Sequence, residues 1–179
     1  AKCAGAAGAV RAGALGGYGL RRTGARGYLA RPGPLDGMAN HGMRSYGRTE
    51  IGGRGLQEFL TEALVIARDD RDGVFLSVDI DVCDPWHAPG TGTPEPGGLS
   101  ARELLDSVRR ICLELPVVGV DIVEVSPPFD HADITASLAN RVVLAALCAM
   151  ARRRRDARAG RVGDLGRPRL AGRSFGDGT

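Results

Sequence analysis

Two short runs dense in β-branched residues, Val74 to Asp81 and Val117 to Val125, constrain the fold of this chain more than any other feature. The first is apolar at successive positions at its start, Val74-Phe75-Leu76, and the second is again rich in β-branched residues at neighbouring positions. Strands that read this way are covered on both faces, as in a buried parallel sheet. Parallel strands need a crossover, and the residues between the two runs supply a helix. Ser100 with Glu103 three residues later is a capping-box signature, and Pro116 stops that helix after Leu115. Another helix precedes the first run. Leu56, Phe59, Leu60, Ala63, Leu64 and Ala67 recur at three- and four-residue spacings between Gly55 and Arg68. Asp72-Gly73 turns from it into the first strand. Ser126-Pro127-Pro128 ends the second strand. Asp133 or Thr135 caps a last helix running to about Arg153, with Ile134, Leu138, Val142, Leu144, Leu147 and Met150 as its core. Strands alternating with helices over short links predict an α/β layer with a parallel sheet.

The first strand runs into Ser77-Val78-Asp79-Ile80-Asp81-Val82-Cys83-Asp84-Pro85. Residues i and i+2 of a strand share a face, so Asp79 and Asp81 are expected to project together. Two neighbouring carboxylates repel unless a proton or a cation intervenes. Divalent ions such as Mn²⁺ accept carboxylate and imidazole ligands. One reading is therefore a metal site; the other is a capped strand end with Asp84-Pro85 as a turn. The Gly/Pro-rich segment 88–98 that follows cannot be helix and has the character of a shaped binding loop. Asp79, Asp81 and Glu124 all fall at the carboxyl ends of neighbouring strands, where open α/β sheets bind ligands.

The string Ser-x-Asp-x-Asp-x-x-Asp-Pro, followed by Ala88-Pro89-Gly90-Thr91-Gly92-Thr93-Pro94-Glu95-Pro96-Gly97-Gly98-Leu99-Ser100, resembles the ureohydrolase family of arginases, agmatinases and guanidinobutyrases. Val118-Gly119-Val120-Asp121-Ile122-Val123-Glu124-Val125-Ser126-Pro127-Pro128-Phe129-Asp130 resembles that family's next strand and loop. The wording is closest to agmatinase-like members and covers roughly residues 41 to 150. The resemblance implies an arginase-like, three-layer α/β/α fold with a parallel sheet, its N-terminal part missing. It implies a binuclear manganese hydrolase that cleaves a C–N bond of a linear amidine or guanidine and releases urea and an amine. Agmatine, giving putrescine, is the first expected substrate, then 4-guanidinobutyrate and arginine. By position, Asp79 would bridge two Mn²⁺ ions and Asp81 would bind one. Glu124 would be the catalytic residue that faces the guanidinium group, and Thr93 would line the substrate. Asp84 and Asp121 would orient loop and strand; ordinary loop and strand-end hydrogen bonding is their other reading. Trimers or hexamers are also implied.

The family's site takes about six ligands, the number such ions prefer. Its Gly-Gly-Asp-His and Asp-Ala-His-x-Asp type motifs do not occur in this sequence, whose histidines are His41, His87 and His131. His87 lies in the loop and His131 directly follows Phe129-Asp130, so each is a candidate pocket residue or a surface residue; His131 is taken as substrate-binding. The chain is thus expected to be the C-terminal portion of a ureohydrolase. Three functions compete: an active hydrolase completed by another chain, a catalytically inactive fragment, and a non-catalytic interaction protein on the same fold.

Residues 1–40 hold ten glycines, six basic residues and one acid, and are expected to be poorly ordered or aberrant, as a shifted reading frame would also produce. Arg26-Gly27-Tyr28 and Pro32-Gly33-Pro34 within them are possible remnants of a family strand and loop. Residues 41–153 form the expected core, and 154–179 a basic, disordered tail. The net charge of +3 conceals +5 in residues 1–40, +6 in 151–179 and, by difference, −8 in 41–150. An acidic middle suits a metal and a cationic guanidinium substrate. The Arg152 to Arg155 run lacks the interleaved aromatics that stacking on bases requires, so it reads as a cationic helix end and not as a nucleic-acid surface. Cys3, Cys83, Cys112 and Cys148 form no Cys-x-x-Cys pair, which disfavours structural zinc and a disulfide framework. Cys83 is expected to pack. No apolar run of about 18 residues and no signal peptide are read, so the expected compartment is the cytoplasm, without a membrane span.

Overall fold

The computed structural model describes residues 21–25, 44–47, 53, 55–68 and 73–161. Its elements are β1 (Arg21–Ala25), β2 (Arg44–Gly47), α1 (Leu56–Arg68), β3 (Val74–Asp79), α2 (Ala101–Glu114), β4 (Val117–Val123) and α3 (Ile134–Arg158), with 3-10 turns at Ile80–Val82 and Pro127–Phe129. Two parallel two-stranded sheets result, β1 with β2 and β3 with β4. The Asp72 turn residue, Cys3, His41, the Arg26 and Pro32 stretches and residues 162–179 lie outside the described residues.

The crossover helix follows its local signals. Glu103 N–H donates to Ser100 Oγ at 3.2 Å, and Ser100 N–H donates to Glu103 Oε2 at 2.8 Å, closing the capping box. α2 ends at Glu114, with Leu115 as its C-cap before Pro116. In the sheet below it, Leu76 pairs with Val120 and Val78 with Ile122. These four side chains join Leu64 of α1, Val108 and Cys112 of α2, and Val142 of α3 in one core. Cys112 is fully buried there, and burial pushes its thiol up to about 11. Cys83 is buried and Cys148 exposed; all three are free thiols.

The opposite face of this sheet differs from the expectation of strands covered on both sides. Phe75 is 63% exposed and Val118 is 71% exposed. The register slips between Val74 and Phe75, which pair with Val117 and Gly119, so Val118 is the bulged residue and its side chain turns outward. At Gly119 a Cβ would come within 2.8 Å of the Phe75 ring, so a larger residue there would displace that exposed ring. All three described helices feed the larger core on the other face, and a second, smaller cluster sets Phe59 and Leu60 of α1 against Ile111 of α2.

α3 departs from expectation in three ways. Neither Asp133 nor Thr135 caps it with a side chain; Asp133 has the N-cap position, φ 56°, and makes no capping hydrogen bond. The carboxylate of Asp130 does the capping, accepting from Thr135 N–H and Ala136 N–H at 3.0 Å each. The core face consists of Thr135, Leu138, Val142, Ala146 and Ala149, whereas Ile134, Leu144 and Leu147 are 42%, 41% and 59% exposed. At 3.6 residues per turn, Leu144 and Leu147 cannot share a stripe with Val142, Ala146 and Ala149. The helix also continues to Arg158, past the expected Arg153. Buried Asp156 gathers Arg152, Arg155 and Arg161 at 3.5, 3.5 and 3.8 Å, and Arg153 Nη1 donates to the Leu113 carbonyl at 2.9 Å. The Arg153 bond ties the basic end to α2, and the Asp156 pairs lie within α3 and the turn after it. By length and mean composition α3 would be long and apolar enough to cross a membrane, but Thr135, Ser137, Asn140 and Arg141 interrupt it, so it holds no unbroken apolar run of that size. Its buried face nonetheless packs in the protein core.

Candidate active site at the strand ends

β3 stops at Asp79, two residues before Asp81, and the chain tightens into the Ile80–Val82 turn. The cause is local: Asp79 Oδ1 accepts from Asp81 N–H at 3.3 Å, an N-cap that starts the turn. Strand alternation therefore does not relate the two carboxylates, and the expectation built on it is corrected. A turn places them at the same end of the sheet instead. Asp81 Oδ2 accepts from the Thr93 hydroxyl at 2.9 Å, so the structure brings Asp79, Asp81 and Thr93 together.

Thr93 is delivered by the loop 83–99, which is tied at its ends and middle. Cys83 forms a parallel bridge with Leu99, and Asp84 N–H donates to the Leu99 carbonyl at 2.9 Å. The Asp84 carboxylate accepts from Trp86 N–H at 3.0 Å and Gly97 N–H at 2.8 Å. The Trp86 amide, then that of Gly97, hold this carboxyl below the usual range. In the middle, Gly90 N–H donates to Thr135 Oγ1 at 2.7 Å, and the Gly90 carbonyl accepts from Ser126 N–H at 2.8 Å. Only glycine fits at that crossing, since a Cβ would lie 2.6 Å from Cβ of Asp130. The loop is thereby laid across the end of β4.

β4 ends at Val123, two residues before the expected Val125. Val123 pairs with Asp79, so Glu124 stands one residue beyond the end of the ladder, beside β3. Glu124 is exposed and has φ 65°. A left-handed backbone at a non-glycine residue costs on the order of 1–3 kcal/mol and concentrates at functional sites. Asp121 pairs with Ser77, which puts it on the same sheet face as Asp79. Its Oδ1 is buried without a hydrogen-bond partner, a position that a cation or water would satisfy.

The histidines sit at the edge of this arrangement. His131 is exposed, and its backbone N–H donates to Asp130 Oδ1 at 3.0 Å in the turn before α3. His87 is half-buried, and its backbone N–H donates to the Asp84 carbonyl at 2.8 Å. Residue-by-residue reading misses Asp130 and Thr135 as supports of the loop. For Asp130 a signal exists, an acid shortly before an apolar helix; for Thr135, whose partner Gly90 is 45 positions away, none does.

Asp79 and Asp81 are oxygen donors of the kind manganese accepts, and the orphaned Asp121 oxygen is consistent with a cation close by. Among the described residues, however, no group of three or more His, Cys, Asp or Glu side chains converges as a metal site. Two carboxylates leave most of about six coordination positions to other donors. The described residues supply part of such a site and not the whole of it.

A parallel α/β unit with acids and a tethered, hydroxyl-bearing loop at its strand ends has these groups where open α/β sheets bind ligands. The arginase family's sequence model matches residues 8–149. The chain belongs to that family. It is 44% identical over 119 residues to proclavaminate amidinohydrolase of Streptomyces clavuligerus, covering 66% of this chain and 37% of that protein. It is 49% identical over 71 residues to an agmatinase of Bacillus subtilis, covering 39% and 24%. The fold matches formimidoylglutamase from Bacillus subtilis with TM-score 0.76 and 34% identity, over 79% of this chain and 44% of that one. The chain thus spans about a quarter to a little under half the length of these relatives. The family match starts at residue 8, well before the residue-41 start of the motif resemblance, and takes in β1 and β2.

Proposed function

We propose that this chain carries part of the active site of a ureohydrolase that cleaves a C–N bond of a small guanidino compound, agmatine first among them. The observation that carries this reading is the contact of Thr93 with Asp81 beside Asp79, at the strand end next to Glu124, in an arginase-family chain. Relatives named agmatinase, formimidoylglutamase and proclavaminate amidinohydrolase differ in substrate but support amidino chemistry as the common theme.

In this reading Asp79 and Asp81 hold manganese, with further donors supplied from elsewhere. Bound manganese supplies Lewis acidity that lowers the pKa of water. The chain's own residues do the rest of what is proposed. Thr93 fixes the rotamer of Asp81 through its hydroxyl. Glu124, exposed and at the strand end, pairs with the planar guanidinium as carboxylates pair with arginine. His131 lines the far side, and the tethered loop limits water access. The whole protein is proposed to be a cytoplasmic homo-oligomer.

A second reading is favoured by the absence of a third converging ligand among the described residues: a chain that is catalytically incompetent by itself. A third, a non-catalytic interaction protein, needs no metal at all. Manganese content and urea release from agmatine, 4-guanidinobutyrate and arginine, measured on one preparation, separate the first reading from the other two. Bound manganese with urea supports the enzyme. In that case Glu124→Gln should lower kcat/KM by about 10–100-fold, the loss of one charge-assisted pair of about 1.5–3 kcal/mol. No metal and no urea leaves the second and third readings.

A further inference from the structure

α3 has two faces with different fates. Thr135, Leu138, Val142, Ala146 and Ala149 are buried, whereas the stripe on the other side is exposed from Asp133 to Arg158. That outer stripe steps by four and three residues in strict alternation, the 3.5-residue period of a helix that packs along its length on another helix. Its centre is apolar: Leu144 is 41% and Leu147 is 59% exposed, with Val143 beside them at 43%. Its start is acidic, at Asp133, and its end is basic, at Arg154 and Arg158.

The stripe is also symmetric about the midpoint between Ala145 and Ala146. Turned end for end on a second copy, Leu144 meets Leu147 and Asn140 meets Ala151. Further out Ser137 meets Arg154, and Asp133 meets Arg158. Each layer occurs twice, as two-fold symmetry demands of an isologous contact. A parallel pair would instead stack Arg154 on Arg154, Arg158 on Arg158 and Asp133 on Asp133, and like charges so placed oppose association.

We propose that the outer face of α3 docks on α3 of a second copy of this chain, antiparallel, with Leu144 and Leu147 at the two-fold axis and an Asp133–Arg158 ion pair at each end. The occupant is set by charge complementarity: the face carries its own complement. The contact area of one helix on another is small, below the roughly 1,600 Å² of a standard interface, so the dimer is reversible and weakened by salt.

Sedimentation of the full 179-residue chain over a range of concentration and salt tests this. A concentration-dependent, salt-weakened dimer is expected. Leu147→Glu should give monomer with an unchanged far-ultraviolet circular dichroism spectrum, because the side chain it replaces is exposed. Arg158→Asp should weaken dimerisation by about tenfold or more, as like charges then meet Asp133 of the partner. Combining it with Asp133→Lys should restore the dimer, a rescue that a merely structural effect would not give. A monomer at all concentrations overturns the proposal. So does a dimer, trimer or hexamer indifferent to Leu147→Glu, or a double variant that is not rescued. Co-sedimentation of a monomeric chain with anionic vesicles, lost in Leu147→Glu, would overturn it as well and assign the face to a membrane surface.

Discussion

Thr135 is a fully buried hydroxyl serving two partners. It accepts from Gly90 N–H at 2.7 Å and hydrogen-bonds the Asp130 carboxylate. The backbone N–H of the same residue donates to Asp130 as well, at 3.0 Å. Loop, helix start and capping acid therefore meet at one side chain. Thr135→Val keeps the shape and removes the hydroxyl, stranding the Gly90 N–H in the interior. An orphaned buried donor costs about 1–3 kcal/mol. At about 2–4 °C per kcal/mol for a chain of this size, the expected fall in Tm is roughly 2–12 °C. Thr135→Ser should recover most of it. A Thr135→Val chain that melts with the parent would remove the hydroxyl from the loop's support. Glu124 shows the same scale from another side. Its left-handed backbone, φ 65°, is invisible in the letter E, because a strand–turn junction and not the residue type imposes it.

Among the elements, the loop 83–99 depends on ionised carboxylates. Asp84 is held low by the Trp86 and Gly97 amides. At Asp130, burial raises the carboxyl, but hydrogen bonds from Ala136, Thr135 and His131 outweigh it and the net direction is down. A carboxyl with a lowered folded-state pKa contributes stability that is present above its unfolded value of about 3.9 and is lost as pH falls through the folded value. Tm should thus be flat near neutrality and drop below about pH 4. Asp84→Asn with Asp130→Asn should lower Tm at neutral pH and flatten the acid slope; an unaltered slope would place the acid sensitivity elsewhere. The elements also show what a sequence can and cannot announce. The ends of α2 were legible because capping box and proline act within four residues. The end of β3 was misplaced by two residues, because Asp79 takes the Asp81 amide and the strand gives way to a turn. The cap of α3 was missed because Asp130 reaches past two residues in left-handed backbone, Ala132 and Asp133.

For the molecule as a whole, the parallel pairing of β3 with β4 and the family were legible, since both rest on long contiguous motifs. The one-sided burial of the sheet was not. Unbroken apolar runs announce burial on two faces, yet Phe75 and Val118 stand exposed while all three helices share the other side. Among the described residues the strand-end acids do not converge into a full ligand set, and the chain spans 37% of proclavaminate amidinohydrolase and 24% of the Bacillus subtilis agmatinase.

The larger core has a kinetic corollary in its thiols. With its thiol pushed up to about 11, Cys112 presents only about 0.1% thiolate at pH 8, and it is sealed between the helices and the sheet. A thiol reagent reaches it, or the buried Cys83, only when that packing opens. Cys148 is exposed and reacts without delay. In a Cys3→Ser chain the reagent should be consumed in one fast equivalent followed by two slow ones, and the slow rate times the opening of the core. Three equivalents taken up in a single fast phase would mean that the core is already open.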